Sequence, residues 1–94
     1  MEYIMGLIQG RHEIKEVKEY IFENALDPAD IIGIRSLAKK SLAFLSKGDK
    51  LTVYVTGLTV ALVEVINICH KKGARLTLMH FDRNKGTYFP QTVL

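Results

Sequence analysis

The sequence predicts a small α/β domain with a mostly parallel sheet, and three observations carry that expectation. Residues 51–81 pass from an alternating β-branched stretch through an apolar stretch of helical period into a second β-branched stretch, the signature of a strand–helix–strand crossover. A short apolar segment near the N-terminus adds a further strand, and charged amphipathic stretches fill the space before the crossover. The 94 residues are 48% hydrophobic and 24% charged, which is material for one core and too little for two, so residues 1–94 form a single domain.

Glu2 to Ile8 is short, mostly apolar and followed by Gly10, and reads as the first strand despite Gly6. From His12 to Leu26 the apolar residues Ile14, Val17, Ile21, Phe22 and Ala25 recur at helical spacing. Glu13, Lys15, Glu16, Lys18, Glu19 and Glu23 fill the other face, which predicts a helix. Asp27-Pro28-Ala29-Asp30 then supplies a cap, a first-turn proline and an acid for the positive end of a helix dipole. The series Ile31, Ile34, Leu37, Ala38, Leu42 and Leu45 carries that second helix to Lys47-Gly48. A rival reading makes residues 31–34 a short strand with Ser36 capping a shorter helix; the Asp-Pro start favours the helix.

Leu51-Thr52-Val53-Tyr54-Val55-Thr56 alternates and is rich in β-branched residues, so it is a strand. Thr56-Gly57-Leu58-Thr59 turns into a helix from about Val60 to Lys72, stopped by Gly73. Arg75 to Phe81 is the next strand, Arg83-Asn84-Lys85-Gly86 a hairpin loop, and Thr87 to Val93 an antiparallel edge strand marked by Pro90. The expected order is β-α-α-β-α-β-β, with about four strands in two or three layers.

Composition narrows the classes further. One cysteine, Cys69, forms no intrachain disulfide, which places the chain in a reducing, cytoplasmic setting rather than among stapled secreted domains. Cys69, His12, His70 and His80 show no metal-ligand pair spacing, so neither a metal nor a cofactor is expected. The N-terminus lacks the basic and apolar regions of a signal peptide. The apolar window Leu51–Cys69 is about as long as a membrane span, but Thr56-Gly57, Glu64 and Asn67 interrupt it, and a strand entering a helix explains it better. Residues 1–47 hold seven acids and seven bases, whereas residues 48–94 hold three acids and six bases, giving the net charge of +3. Those bases are scattered in pairs without interleaved aromatics, which argues against a duplex-binding face.

Ligands of open α/β sheets bind outside the carboxyl ends of the parallel strands. That rule selects Gln9, Gly10, Arg11 and His12 after the first strand, Thr56, Gly57, Leu58 and Thr59 after the second, and His80, Asp82 and Arg83 at the third. Thr56-Gly57-Leu58-Thr59 puts free N–H groups at a helix N-terminus, and Arg11 and Arg83 supply forked donors, so the expected ligand carries phosphate or another anion. The segment is neither a P-loop nor a Gly-x-Gly-x-x-Gly fingerprint, and Thr56 or Thr59 as a plain helix cap is the competing reading. His12 and His80 are the candidate acid–base groups; a packed strand histidine is the competing reading for His80. His70 belongs with Lys71 and Lys72 at a helix C-terminus, and Cys69 reads as an inert core thiol.

The helix at 60–72 is apolar on nearly every side, leaving only Glu64, Asn67 and Lys71 as a polar stripe. So small a domain has little with which to cover it, which predicts at least a homodimer through residues 60–69 or the edge strand Thr87–Val93.

Gly48-Asp49, the strand ending in Thr56-Gly57-Leu58-Thr59, and the run Gly73-Ala74-Arg75-Leu76-Thr77-Leu78-Met79-His80-Phe81-Asp82-Arg83 resemble small single-domain Rossmann-like proteins encoded near CRISPR loci and in phages. The likeness covers the second half of the chain. It implies a Rossmann-like fold and a link to binding or degrading cyclic oligonucleotide messengers. The helices expected within 12–47 have no counterpart in it, and no functional residue transfers by motif. Three functions are therefore expected in order: an oligomeric binding protein for an anionic ligand, cyclic nucleotides included; a slow phosphodiesterase at the same edge using His80 or His12; and a phage or host module that inhibits another protein.

Overall fold

The computed structural model describes residues 1–10 and 13–94. Its elements in chain order are β1 (Glu2–Ile8), β2 (Tyr20–Phe22), α1 (Ile31–Ser41), β3 (Lys50–Tyr54), α2 (Thr59–Lys72), β4 (Arg75–Asp82) and β5 (Thr87–Thr92). The five strands form one sheet in the order β2-β1-β3-β4-β5, parallel throughout except for the antiparallel β4–β5 pair. The α/β class and the mostly parallel sheet with a C-terminal antiparallel strand match the sequence-based expectation.

One element differs. The helix expected from His12 to Leu26 is absent between residues 13 and 26, where a loop leads into β2; the order becomes β-β-α-β-α-β-β and the sheet has five strands rather than about four. Tyr20-Ile21-Phe22 is a β-favouring triplet, and the bare outer edge of β1 offers it a partner: Gly6 pairs with Tyr20 and Ile8 with Phe22. Ile14 and Val17 kept helical spacing for another reason. Both bear on the sheet, Ile14 buried and the Val17 side chain beside Gly6.

α1 is also shorter than expected. Asp30, not Asp27, caps it: its side chain accepts from the Gly33 N–H at 3.0 Å, while Asp27 accepts from the Ala29 N–H one turn earlier. The helix ends at Ser41 and passes into a turn whose carbonyls find another donor. Lys72 Nζ donates to the carbonyls of Leu42 (2.9 Å), Ala43 and Leu45, closing the C-terminal end with a positive charge. α2 stops at Gly73, whose φ of 70° is the left-handed conformation that a C-terminal glycine supplies.

The sheet has two unlike faces. Leu51 pairs with Leu76 and Val53 with Leu78, and Tyr3 and Met5 align with Leu51 and Val53. With Leu7 these residues share a core with Ile34, Ala38 and Leu42 of the α1 region and Ala61, Val65 and Ile68 of α2. Both helices therefore cover one face, and they pack on each other, giving two layers. The alternate residues form the other face: Ile4 beside Thr52, Thr77 and Thr92, then Gly6 beside Tyr54, Met79 and Pro90. Among the described residues only the 13–20 segment crosses that second face, where the Tyr20 ring lies over Gly6 so closely that a β-carbon there would collide with it.

The polar stripe on α2 takes an unexpected position. Glu64 is buried between the helices and forms a forked pair with Arg35, Nε to Oε1 at 2.8 Å and Nη2 to Oε2 at 3.3 Å. Val63 is left 46% exposed instead, while Leu62 and Ile66 are half-buried. Much of the apolar surplus that suggested an interface on α2 is thus covered by α1 and the sheet. No helix among the described residues is long and apolar enough to cross a membrane.

Candidate ligand cleft at the carboxyl ends of the parallel strands

A cleft of about 860 Å³ opens at the carboxyl ends of the parallel strands, on the face that carries no helices. One wall is the segment Gly10 and Glu13–Glu16; the floor is Tyr54–Gly57 with Met79; the opposite wall is Phe81, Arg83 and the β5 start at Gly86–Tyr88. The strand alternation makes this arrangement. Tyr54, Met79, Phe81 and Tyr88 share the second face, because Val53 and Leu78, their neighbours in sequence or register, are committed to the core.

The floor and one wall carry aromatic side chains. Tyr54 and Tyr88 meet edge to face at 4.9 Å between centroids, and Phe81 meets Tyr88 at 5.2 Å. Phe81 is 50% exposed, whereas Tyr54 is buried. Burial raises the pKa of the Tyr54 phenol, with a smaller contribution from the Glu16 carboxylate. Tyr88 is raised by burial first, then by Tyr20, Glu16 and Tyr54. Four charged side chains, Glu13, Lys15, Glu16 and Arg83, line the cleft.

The residues that the sequence singled out are only partly brought together. Gly10, Thr56, Gly57 and Arg83 line the cleft, and Gly57 has a φ of 77° that allows the chain to turn from β3 into α2. The Thr56 hydroxyl is committed within the chain, accepting from the Ile8 N–H at 3.0 Å and donating to the Ile8 carbonyl at 2.7 Å; it ties the ends of β1 and β3 together. Leu58 is the N-cap residue of α2 without a side-chain cap bond, and neither it nor Thr59 lines the cleft. Neither threonine caps the helix. Gln9 faces a neighbouring polar groove of about 360 Å³ alongside Lys18 and Glu23. Arg11 and His12 lie outside the described residues.

Asp82 and His80 belong to the other face by the same alternation that buries Leu76 and Leu78. Asp82 Oδ1 accepts from the N–H groups of Asn84 and Lys85, shaping the hairpin. His80 Nε2 donates to Gln91 Oε1 at 2.7 Å, and its ring lies 5.4 Å from that of Phe89. Cys69 is buried in α2, and burial pushes its thiol up to about 11, where thiolate chemistry at neutral pH is suppressed. Among the described residues no group of three His, Cys, Asp or Glu side chains is placed to hold a metal ion.

Sequence reasoning did not find Glu13, Lys15, Glu16, Tyr54, Met79, Phe81 or Tyr88. The first three fit the solvated side of a helix, whereas the last four carry a detectable signal. Tyr54 and Met79 each follow a core position, Val53 and Leu78, and Phe81 and Tyr88 continue the same face along the β4–β5 pair, so together they form a largely aromatic patch away from the core.

Comparison with protein-family models, with curated proteins and with solved structures found no match to this chain.

Proposed function

We propose that the chain is a small binding protein for a phosphate-bearing ligand with a planar ring, of nucleotide size, held in the cleft between the 13–17 segment and the β4–β5 hairpin. The observation that carries this reading is the combination of the Tyr54–Tyr88–Phe81 wall with Arg83 and Lys15 around one opening. A flat ring stacks on the aromatics, and the two cations take the anionic end. The resemblance of residues 48–83 to Rossmann-like proteins of CRISPR loci and phages makes cyclic oligonucleotides one class to include. The phosphodiesterase alternative would have to rest on His12, because His80 faces away from the cleft and is bonded to Gln91.

The reading includes at least a homodimer. A mostly parallel sheet is ordinarily covered on both faces, yet here Ile4, away from the cleft, stands about half exposed on the face without helices. The row Glu2, Lys50 and Arg75 at the margin of that face offers both signs of charge, so a second copy would meet complementary partners. Pro90 is a half-way residue of β5, and the Val93 N–H points inward to the Leu76 carbonyl. The alternation places position 90 on the outward row, where proline has no N–H to give, so pairing through the β5 edge is disfavoured. Sedimentation equilibrium should give about twice 10.6 kDa; a monomer mass at all concentrations rejects the dimer.

Thermal-shift screening with mono-, di- and cyclic nucleotides tests the ligand class, because binding to the folded state alone raises the melting temperature. A rise that Arg83→Ala removes supports the reading. Unchanged melting with every nucleotide rejects it.

A further inference from the structure

Lys15 and Glu16 are the two central residues of a tight turn, closed by the Val17 N–H donating to the Ile14 carbonyl at 2.9 Å. Both ends of the turn are anchored on the sheet, Ile14 by burial and Val17 beside Gly6, so its tip is held at the cleft. Two glutamates line the cleft, and Glu16 is the one whose charge acts on both Tyr54 and Tyr88. Glu16 thus shares the lining of one cleft with Tyr54, Phe81, Tyr88 and Arg83.

A carboxylate only accepts hydrogen bonds, and it accepts best from a fork of two parallel donors. Of the nucleobases, guanine presents such a fork on its pairing edge, N1–H beside the N2 amino group. Adenine presents an acceptor, N1, beside its N6 amino group. We propose that Glu16 is the specificity-determining residue of the cleft, selecting a guanine nucleotide by accepting from N1–H and the N2 amino group while the ring stacks on Tyr88 and Phe81. This inference rests on the cleft being a nucleotide site, and its test separates the two ideas.

The test is isothermal titration of the whole chain with GMP, IMP and AMP, repeated with Glu16→Gln. GMP should bind roughly ten- to a hundred-fold tighter than AMP, with IMP, which keeps N1–H but lacks the amino group, in between. Glutamine sets one donor beside one acceptor, the complement of adenine, so Glu16→Gln should lose the GMP preference and turn the ranking toward AMP. Glu16 is exposed and on a turn, so the substitution leaves folding intact, and a melting curve checks this. A general weakening without a change of ranking would mark Glu16 as merely structural and overturn the proposal. Equal binding of the three nucleotides, or AMP binding tightest to the native chain, would overturn it while leaving the nucleotide cleft in place. Binding of none would overturn both.

Discussion

The two faces of the sheet are made by the same strands and do different work. On the helix side, Leu7, Leu51, Val53 and Leu76 are fully buried and meet α1 and α2. On the other side, successive rows carry Ile4–Thr52–Thr77–Thr92 and Gly6–Tyr54–Met79–Pro90, and among the described residues one loop crosses them. β3 and β4 thus divide alternate residues between the core and a surface that holds a cleft. The comparison teaches that in a two-layer domain of this size one covered face suffices for the core, which leaves the second face open to a ligand or a second copy.

The sharpest way to break that comparison is to truncate neighbouring positions of β4. Leu76→Ala removes a fully buried side chain and should cost about 2–5 kcal/mol, through lost burial and the cavity left behind. Thr77→Ala, one residue on and half-buried on the other face, should cost about 0.5 kcal/mol or less. Urea denaturation of the pair measures both; equal losses would erase the distinction between the faces.

A second substitution tests how the cleft wall is anchored. Gly6→Ala would drive a methyl group into the Tyr20 ring and displace β2 with the loop before it, at a cost of about 1–3 kcal/mol. Pairing it with Tyr20→Ala should recover part of the loss. Equal instability in the double variant would mean that Gly6 is needed for another reason. Thr56→Val keeps the shape but deprives the Ile8 N–H and carbonyl of their partner, which should cost about 1–3 kcal/mol. Denaturation that leaves Thr56→Val as stable as the parent chain would return this hydroxyl to the list of candidate ligand groups.

The smallest expected effect lies between the helices. The Arg35 guanidinium beside Glu64 holds its carboxyl below the usual carboxylate range, against the opposing effect of burial. The unfolded chain therefore binds this proton more readily than the folded one. The contribution is present at neutral pH and fades as pH falls through the folded-state value. Chemical denaturation across the acid range should show a shallower fall for Glu64→Gln than for the native chain; identical slopes would remove the pair from the acid response.

The second half of the chain was legible because its signals are local. β-Branched alternation marks β3, Gly73 ends α2, and the Asn84-Lys85-Gly86 turn joins β4 to β5. The 13–26 region was not, because Ile14, Val17 and Ile21 satisfy a helical period while being placed by tertiary contacts with a sheet that the sequence does not display. The strand-end rule placed Thr56, Gly57 and Arg83 at the cleft. It could not reveal that Thr56 bonds Ile8 or that Asp82 shapes its own hairpin, since short polar side chains at strand ends serve backbone and ligand alike. The Arg35–Glu64 pair was hidden for a related reason: 29 residues separate its partners, and Glu64 alone reads as a solvent-facing acid.

The division of labour between the two faces is tested most directly by amide chemical-shift mapping during a titration with GMP. Binding in the cleft should move the amides of Glu13–Glu16, Tyr54–Gly57 and Phe81–Tyr88 together, with one saturating dissociation constant, and leave those of Ile34, Ala38 and Val65 on the helix side in place. Shifts centred on α1 and α2, or none at saturating nucleotide, would contradict the account.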